Sequence, residues 1–211
     1  MYKVISELHP DIGWQNWPEE LREKVPSALE EIRVNNIEKL EFYCWMQWQL
    51  FSQMKSVKEY AASKGIFILG DLPFLVSRES ADVWAHKDYF ILELASGAPP
   101  DMYFALGQKW GMPPYNWDKI ASEGFLYLRE KLVYAQNFYD MYRIDHFVGL
   151  FRVWVSPVDD NSFPGSYMPK EEYLWEHHGR RIIEEMVNSS TMLPCAEDLG
   201  TVPGCSFHVL Y

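Results

Sequence analysis

The sequence is poor in the residues that build disulfide frameworks and metal sites. Its 211 residues include 3 cysteines, Cys44, Cys195 and Cys205, an odd number at unrelated spacings, so neither a disulfide framework nor a zinc site is predicted. We interpret them as reduced, mostly buried thiols. No His-x₃-His or Cys-x₂-Cys pair occurs, and the adjacent His177 and His178 would point apart on a helix. The sequence therefore predicts no metal and no cofactor.

Basic residues and long apolar runs are also scarce. The 19 Lys and Arg residues against 30 Asp and Glu residues give a net charge of -11, which repels phosphate backbones and anionic lipid surfaces. Nucleic acid and membranes are therefore not expected as partners. No apolar run reaches the roughly 18 residues of a membrane span, and the N-terminus has no signal-peptide core. The expected location is the cytoplasm.

Aromatic residues, by contrast, are abundant, with 9 tryptophans and 13 tyrosines. An aromatic excess usually reflects packing in the core. Broad, flat side chains also stack on the C–H faces of sugar rings. Both interpretations stay open on composition alone.

Three short apolar runs each end in an acidic residue. The run over residues 65–70 leads to Asp71, the run over 140–144 to Asp145 and the run over 193–196 to Glu197. Each run comes after a helical stretch. Repeated helix–strand units predict an α/β fold with a parallel sheet. Because active sites of such folds form at the carboxyl ends of the strands, we expect the three acids to converge on one cleft.

An arginine lies two residues before the central acid. Residues i and i+2 of a strand share a face, so Arg143 and Asp145 should project together. A nearby guanidinium favours the ionised form of a carboxylate, which is what a glycosidic nucleophile requires. The alternative is a structural ion pair at a strand end.

The spacing of apolar residues predicts a long amphipathic helix from Asn35 to about Ala61, ended by Lys64-Gly65, and a strand over 66–69. We expect the aromatic stripe of this helix to lie in the core. Residues 72–117 show little regular pattern apart from a short helix over 80–86. Excursions of this length are usually lids or binding loops.

Six motifs, in order, resemble the amylomaltases, the 4-alpha-glucanotransferases of glycoside hydrolase family 77. They are Gly70-Asp-Leu-Pro73, Ser80-Ala-Asp-Val-Trp84, Pro99-Pro-Asp101, Gly107-Gln-Lys-Trp-Gly111, Arg143-Ile-Asp-His-Phe147 and Ala196-Glu-Asp-Leu-Gly200. The resemblance covers nearly the whole chain. It implies part of a (β/α)₈ TIM barrel with a long inserted lid loop.

The resemblance also implies an activity, the transfer of α-1,4-glucan segments between donor and acceptor sugars by a retaining mechanism. In it, Asp145 is the nucleophile and Glu197 is the general acid/base. Arg143, His146 and Asp71 would bind the sugar at the cleaved bond. The remaining candidate substrate-binding residues lie in the lid: Asp101, Tyr103, Phe104, Gln108 and Trp110. Simple loop packing is the alternative for the aromatic members of that set.

The chain also departs from the family pattern. A full barrel takes about 250 residues, and the family's third essential acid, in a later His-Asp motif, has no counterpart here. We therefore expect a central piece of the barrel that is inactive by itself. Its expected parts are a packed connector with a short helix near its end (1–34), a helix and strand (35–71), the lid insertion (72–117) and two helix–strand units (118–211). Two functional alternatives are an α-glucan hydrolase and a catalytically incomplete glucan-binding fragment.

Overall fold

A computed structural model of the chain describes residues 1–159 and 165–210. The α-helices are α1 (Tyr2–Leu8), α2 (Glu19–Arg22), α3 (Pro26–Asn35), α4 (Ile37–Ser63), α5 (Ala81–Ala85), α6 (Trp117–Ser122), α7 (Leu126–Ala135), α8 (Trp175–Asn188) and α9 (Cys205–Leu210). The strands are β1 (Leu69–Leu72), β2 (Leu94–Ala98), β3 (Gln108–Lys109), β4 (Met141–Ile144), β5 (Val153–Pro157), β6 (Ser166–Met168) and β7 (Leu193–Ala196).

The α/β character and the parallel sheet predicted from the sequence are confirmed. β1, β4 and β7 form a three-stranded parallel sheet in the order β1-β4-β7. The bounds of β7 agree with the predicted strand, whereas β1 begins at Leu69 rather than at Ile66. This shift puts Asp71 inside the paired part of its strand, opposite Arg143 of β4.

A second, antiparallel sheet was not predicted. It has the order β3-β2-β5-β6, so that strands from the 72–117 excursion pair with strands that follow β4. The sequence of β2, Leu94-Ala-Ser-Gly-Ala98, lacks the alternation of apolar and polar residues that identifies a half-buried strand. Gly97 is needed there because a Cβ atom would lie 1.8 Å from the Gln108 carbonyl oxygen.

The core lies where the parallel sheet meets α7 and α8. Tyr142 of β4, Leu132 of α7 and Ile182 of α8 are each at most 1% exposed. The Tyr142 hydroxyl donates to the Met186 carbonyl at 3.4 Å, which ties the central strand to α8. Burial of such side chains holds β4 in the middle of the sheet.

Residues 1–34 are more regular than an irregular connector. They contain α1, α2 and most of α3, and only the last of these helices was expected. Trp17 packs edge-on against Trp84 of α5 with ring centroids 6.0 Å apart, and the Trp84 indole donates to the Leu21 carbonyl at 3.1 Å. The segment thus packs on α5 through these tryptophans.

The aromatic stripe of α4 corrects the prediction of a core helix. This 27-residue helix has no buried residue, and Trp45, Trp48 and Tyr60 are more than half exposed. The predicted helix is present, but most of its apolar face is uncovered: Phe51 packs on Phe138 with ring centroids 5.2 Å apart, whereas Cys44, Trp48 and Val57 are exposed. No helix in 1–159 or 165–210 has the length and apolar character needed to cross a membrane.

The prediction of mostly buried thiols is also wrong. Cys44 and Cys195 are exposed and Cys205 is partly exposed, all as free cysteines. Cys44 lies on the uncovered face of α4, and Cys195 lies on β7, an edge strand among the described elements. Their exposure follows from the position of these two elements.

A first prediction concerns Gly70 in β1. A Cβ atom at Gly70 would meet the Tyr139 ring at 2.2 Å, so Gly70→Ala should push apart the strand and the turn before β4. Overpacking of this kind costs about 1–3 kcal/mol, which a denaturant titration would register as a lower midpoint. Gly204→Ala is the matched control because nothing lies within 4 Å of its added methyl. Equal midpoints for the two variants would contradict the packing described here.

A second prediction concerns His178 on α8. Burial, only partly offset by the nearby Asp118 carboxylate, lowers the pKa of His178 from 6.5 to about 4. Between these two values the unfolded chain binds a proton that the folded chain does not, so stability should fall as the pH drops through this window. The His178→Gln variant should lose less stability over the same window, measured by urea titration. The control is His177→Gln, which alters the exposed neighbour. An equal reduction of the pH dependence of stability in that variant would refute the attribution to His178.

Candidate active site

The register of the parallel sheet brings the strand-end acids together. Asp71, Arg143 and Cys195 lie side by side on β1, β4 and β7. Asp145 and Glu197 each follow the last paired residue of their strands, and their backbone N–H groups still donate to carbonyls of the neighbouring strands. The three acids therefore converge at one end of the sheet, although Asp71 is not among the residues that line the cleft described below.

Arg143 is the centre of this cluster. Its Nη1 donates to Asp71 Oδ1 at 2.6 Å, while its Nη2 donates to Asp145 Oδ1 at 2.9 Å and to Glu197 Oε1 at 2.6 Å. One guanidinium thus links three carboxylates, each from a different strand of the parallel sheet or from the residue that follows it. Glu197, followed by Asp71, raises the pKa of Arg143 above its ordinary value.

The shared nitrogen limits the distance between the two candidate catalytic acids. Because Asp145 Oδ1 and Glu197 Oε1 both bond to Arg143 Nη2, their separation cannot exceed the combined length of the two bonds, which measure 2.9 Å and 2.6 Å. Carboxyl groups about 5–5.5 Å apart are typical of retaining glycosidic sites, whereas inverting sites need roughly 6.5–9.5 Å. The geometry is thus compatible with covalent catalysis.

Glu197 is the most enclosed of the three carboxylates, with its side chain 16% exposed. The hydrogen bond from Arg143 lowers its pKa most, and the His146 backbone N–H, which donates to Glu197 Oε2 at 2.8 Å, acts in the same direction against the effect of burial. In this state Glu197 is a stabilised carboxylate. The general-acid role expected of Glu197 would need a proton on this carboxyl group, so that role requires its pKa to rise when substrate binds.

His146 follows Asp145 in a left-handed backbone conformation, with φ 48° and ψ 48°. Its ring lies between Phe74, with a centroid distance of 5.8 Å, and Trp110, which meets it edge-on at 5.0 Å. Burial lowers the pKa of His146, although Asp145 and Glu197 oppose the shift. The neutral imidazole is therefore the favoured form at neutral pH.

A cleft of about 390 Å³ opens over Asp145, His146 and Glu197. Its other walls are Pro73, Phe74, Leu75, Trp110 and Met112. Sequence reasoning missed the run from Pro73 to Leu75 and Met112. The run follows directly on the strand that carries Asp71, and this position at a strand end was the signal that could have identified it.

The lid candidates divide into two groups. Gln108 and Trp110 are joined to the cleft, since the Trp110 indole donates to Gln108 Oε1 at 3.0 Å and Trp110 contacts His146. Asp101, Tyr103 and Phe104 lie on an exposed turn, where Asp101 Oδ1 accepts the backbone N–H groups of the other two at 2.8 and 2.7 Å. These three do not line the cleft in this conformation. Their substrate-binding roles stay predictions.

Comparisons with known proteins identify the family of the chain. A family model of glycoside hydrolase family 77, described as 4-alpha-glucanotransferase, matches residues 1–210. The chain is 37% identical over 203 residues to a 4-alpha-glucanotransferase of Chlamydia trachomatis, covering 96% of this chain and 38% of that relative. It is 32% identical to a 4-alpha-glucanotransferase of Thermus thermophilus, covering 96% of this chain and 41% of the relative.

A solved structure gives the same result at the level of the fold. An amylomaltase from Streptococcus agalactiae in complex with acarbose superposes with a TM-score of 0.86 at 28% identity, covering 99% of this chain and 43% of that one. This chain therefore spans roughly two fifths of the length of the proteins it resembles. With a family match over almost every residue and relatives at 37% and 32% identity, the chain belongs to glycoside hydrolase family 77, the 4-alpha-glucanotransferases.

Proposed function

We propose that the protein transfers α-1,4-glucan segments from a donor to an acceptor maltooligosaccharide by a retaining double displacement. Asp145 is the nucleophile and Glu197 is the general acid/base. The observation that carries the proposal is the sharing of Arg143 Nη2 by both carboxylates, which keeps them within the separation that retention requires. Family membership supports the α-glucan substrate.

The chemistry proceeds in two steps. Protonated Glu197 gives its proton to the glycosidic oxygen while Asp145 attacks the anomeric carbon, so that the C–O bond breaks and a glycosyl ester forms. A hydroxyl of the acceptor glucan then attacks the same carbon. Glu197 takes up the proton of that hydroxyl and the ester bond to Asp145 breaks.

The side chains around the two acids have complementary tasks. Asp71 and Arg143 offer hydrogen bonds to the hydroxyls of the sugar at the cleaved bond. The neutral His146 ring, held between Phe74 and Trp110, forms the apolar side of the same subsite. The donor glucan is bound next to these groups, and the acceptor approaches over Trp110.

The finer architecture is also proposed. The parallel β1-β4-β7 sheet has the order and direction of three strands in a (β/α)₈ barrel, and its carboxyl ends carry the site. The exposed turn with Asp101, Tyr103 and Phe104 would close over the cleft as a lid when a glucan binds. A lid that keeps water out and holds a sugar favours transfer over hydrolysis.

A third prediction tests the reaction type. The protein as produced from its natural gene, incubated with maltotriose, should yield glucose together with maltooligosaccharides longer than maltotriose. Separation of the products by chromatography measures both. Release of only glucose and maltose would identify a hydrolase, and unchanged maltotriose would refute the proposed activity.

A fourth prediction tests the roles of the two acids. Asp145→Asn and Glu197→Gln should each lower kcat for maltotriose conversion by at least about a hundredfold, because each step needs one of these carboxyl groups in the right protonation state. Asp198→Asn is the matched control. It alters the exposed neighbour of Glu197 and should keep most of the activity. A loss in the control as large as in Glu197→Gln would contradict the assignment.

A fifth prediction tests the electrostatics without an activity assay. Since the Arg143 hydrogen bond is the largest cause of the lowered pKa of Glu197, the Arg143→Ala variant should raise that pKa. Carbon-13 NMR of the labelled Glu197 carboxyl, followed over pH, measures the shift. Arg129→Ala, which removes an exposed arginine from α7, should leave the titration of Glu197 where it was. An unchanged Glu197 titration in Arg143→Ala would refute the described pairing.

A further inference from the structure

A second cavity lies outside the cleft above Asp145 and Glu197. It has a volume of about 460 Å³ and opens between α6, α8 and the end of β6. Its lining includes Trp117, Asp118, His178 and Arg181, and none of these residues lines the cleft above Asp145 and Glu197. The volume falls in the range of about 300–1,000 Å³ that is typical of small-molecule sites.

The polar groups of this cavity have unused hydrogen-bonding capacity. Within 1–159 and 165–210, no hydrogen bond or ion pair engages Trp117 Nε1, the Asp118 carboxylate, the His178 ring or the Arg181 guanidinium. Arg181 instead lies over the Phe125 ring at 5.2 Å, and the His178 ring packs edge-on against Trp117 at 6.3 Å. A donor, an acceptor and a neutral imidazole therefore line one concave surface, available to a bound molecule.

The aromatic wall of the cavity, Trp117, is held in place by packing on neighbouring rings. Trp117 packs on the buried Tyr115 with ring centroids 5.0 Å apart, and Tyr115 packs in turn on Phe74 at 5.8 Å. Phe74 is a wall of the catalytic cleft. A rigid indole beside both a carboxylate and a guanidinium is the combination that recognises sugars, since the ring contacts C–H groups and the charged groups bond the hydroxyls.

We propose that this cavity is a second saccharide site, which binds a short α-glucan segment outside the catalytic cleft. A neutral polyol fits better than an anion, because Asp118 faces the cavity beside Arg181 and the chain carries a net charge of -11. The choice of an α-glucan rests on the proposed function. The expectation of a neutral sugar rests on the cavity alone.

Fluorine NMR of the natural gene product labelled with 5-fluorotryptophan can test both sites in one titration. The signal missing from Trp117→Phe identifies Trp117, and Trp110→Phe identifies the indole of the cleft in the same way. On addition of maltotriose the Trp117 signal should shift and saturate. The Trp117 signal should shift to the same extent in Arg143→Ala, in which the cleft is impaired. A shift caused by maltotriose in the cleft would be lost in that variant, whereas a shift caused by maltotriose in the second cavity would persist.

Arg181→Ala should weaken the maltotriose titration of Trp117 by about tenfold, the effect of losing hydrogen bonds to a charged group, and leave that of Trp110 unchanged. The exposed Arg129→Ala should change neither. The second site is refuted if the Trp117 signal does not respond to maltotriose, if its response disappears in Arg143→Ala, or if inorganic phosphate shifts it and maltotriose does not. A response of Trp117 without one of Trp110 would support the second site and count against the proposed function.

Discussion

The arrangement of the site depends on one cation. Arg143 lies on the central strand and bonds to Asp71 of β1, to Asp145 just after β4 and to Glu197 just after β7. Three carboxylates brought so close without it would repel one another and favour neutral forms. The guanidinium is planar and carries several fixed donors, so it can hold the three groups in defined positions, whereas a lysine ammonium would act as a single point charge. The positions of the three carboxylates therefore depend on the arginine at position 143 of the central strand.

The second sheet explains how the walls of the cleft are held. The segment after β1 contains β2, and the segment after β4 contains β5. These two strands pair with each other from Leu94 to Gly97, so the two segments form one sheet. Arg78 strengthens this layer by donating to the carbonyls of Leu92 and Leu94 at 2.6 and 2.7 Å. Trp110, which follows β3, is thereby fixed against His146, which follows β4. Two long excursions form one support for the cleft.

The parts of this structure that the sequence predicted are those with local signals. The apolar runs that end in Asp71, Asp145 and Glu197 identify strands and their exits, and the i, i+2 spacing identifies the Arg143–Asp145 pair. The antiparallel sheet depends instead on pairing between segments far apart in the chain, since Leu94 lies opposite Pro157, and β2 has no periodic pattern to indicate it. The exposed face of α4 is a further case, because periodicity identifies an apolar face without saying which residues cover it.

The shared nitrogen of Arg143 also gives a physical reason for how Asp145 and Glu197 could exchange the charged and the uncharged form. The proposed retaining mechanism would need ionised Asp145 with protonated Glu197 before attack, and an esterified Asp145 with ionised Glu197 after it. In each state only one of the two carboxyl groups is charged, and the other cannot compete for the guanidinium as strongly. Nη2, placed within 2.9 Å of both, can stabilise whichever carboxylate is ionised without a large movement. The lowered pKa of Glu197 favours the ionised form that the second step of the proposed mechanism needs, and when Glu197 is protonated Arg143 pairs with Asp145.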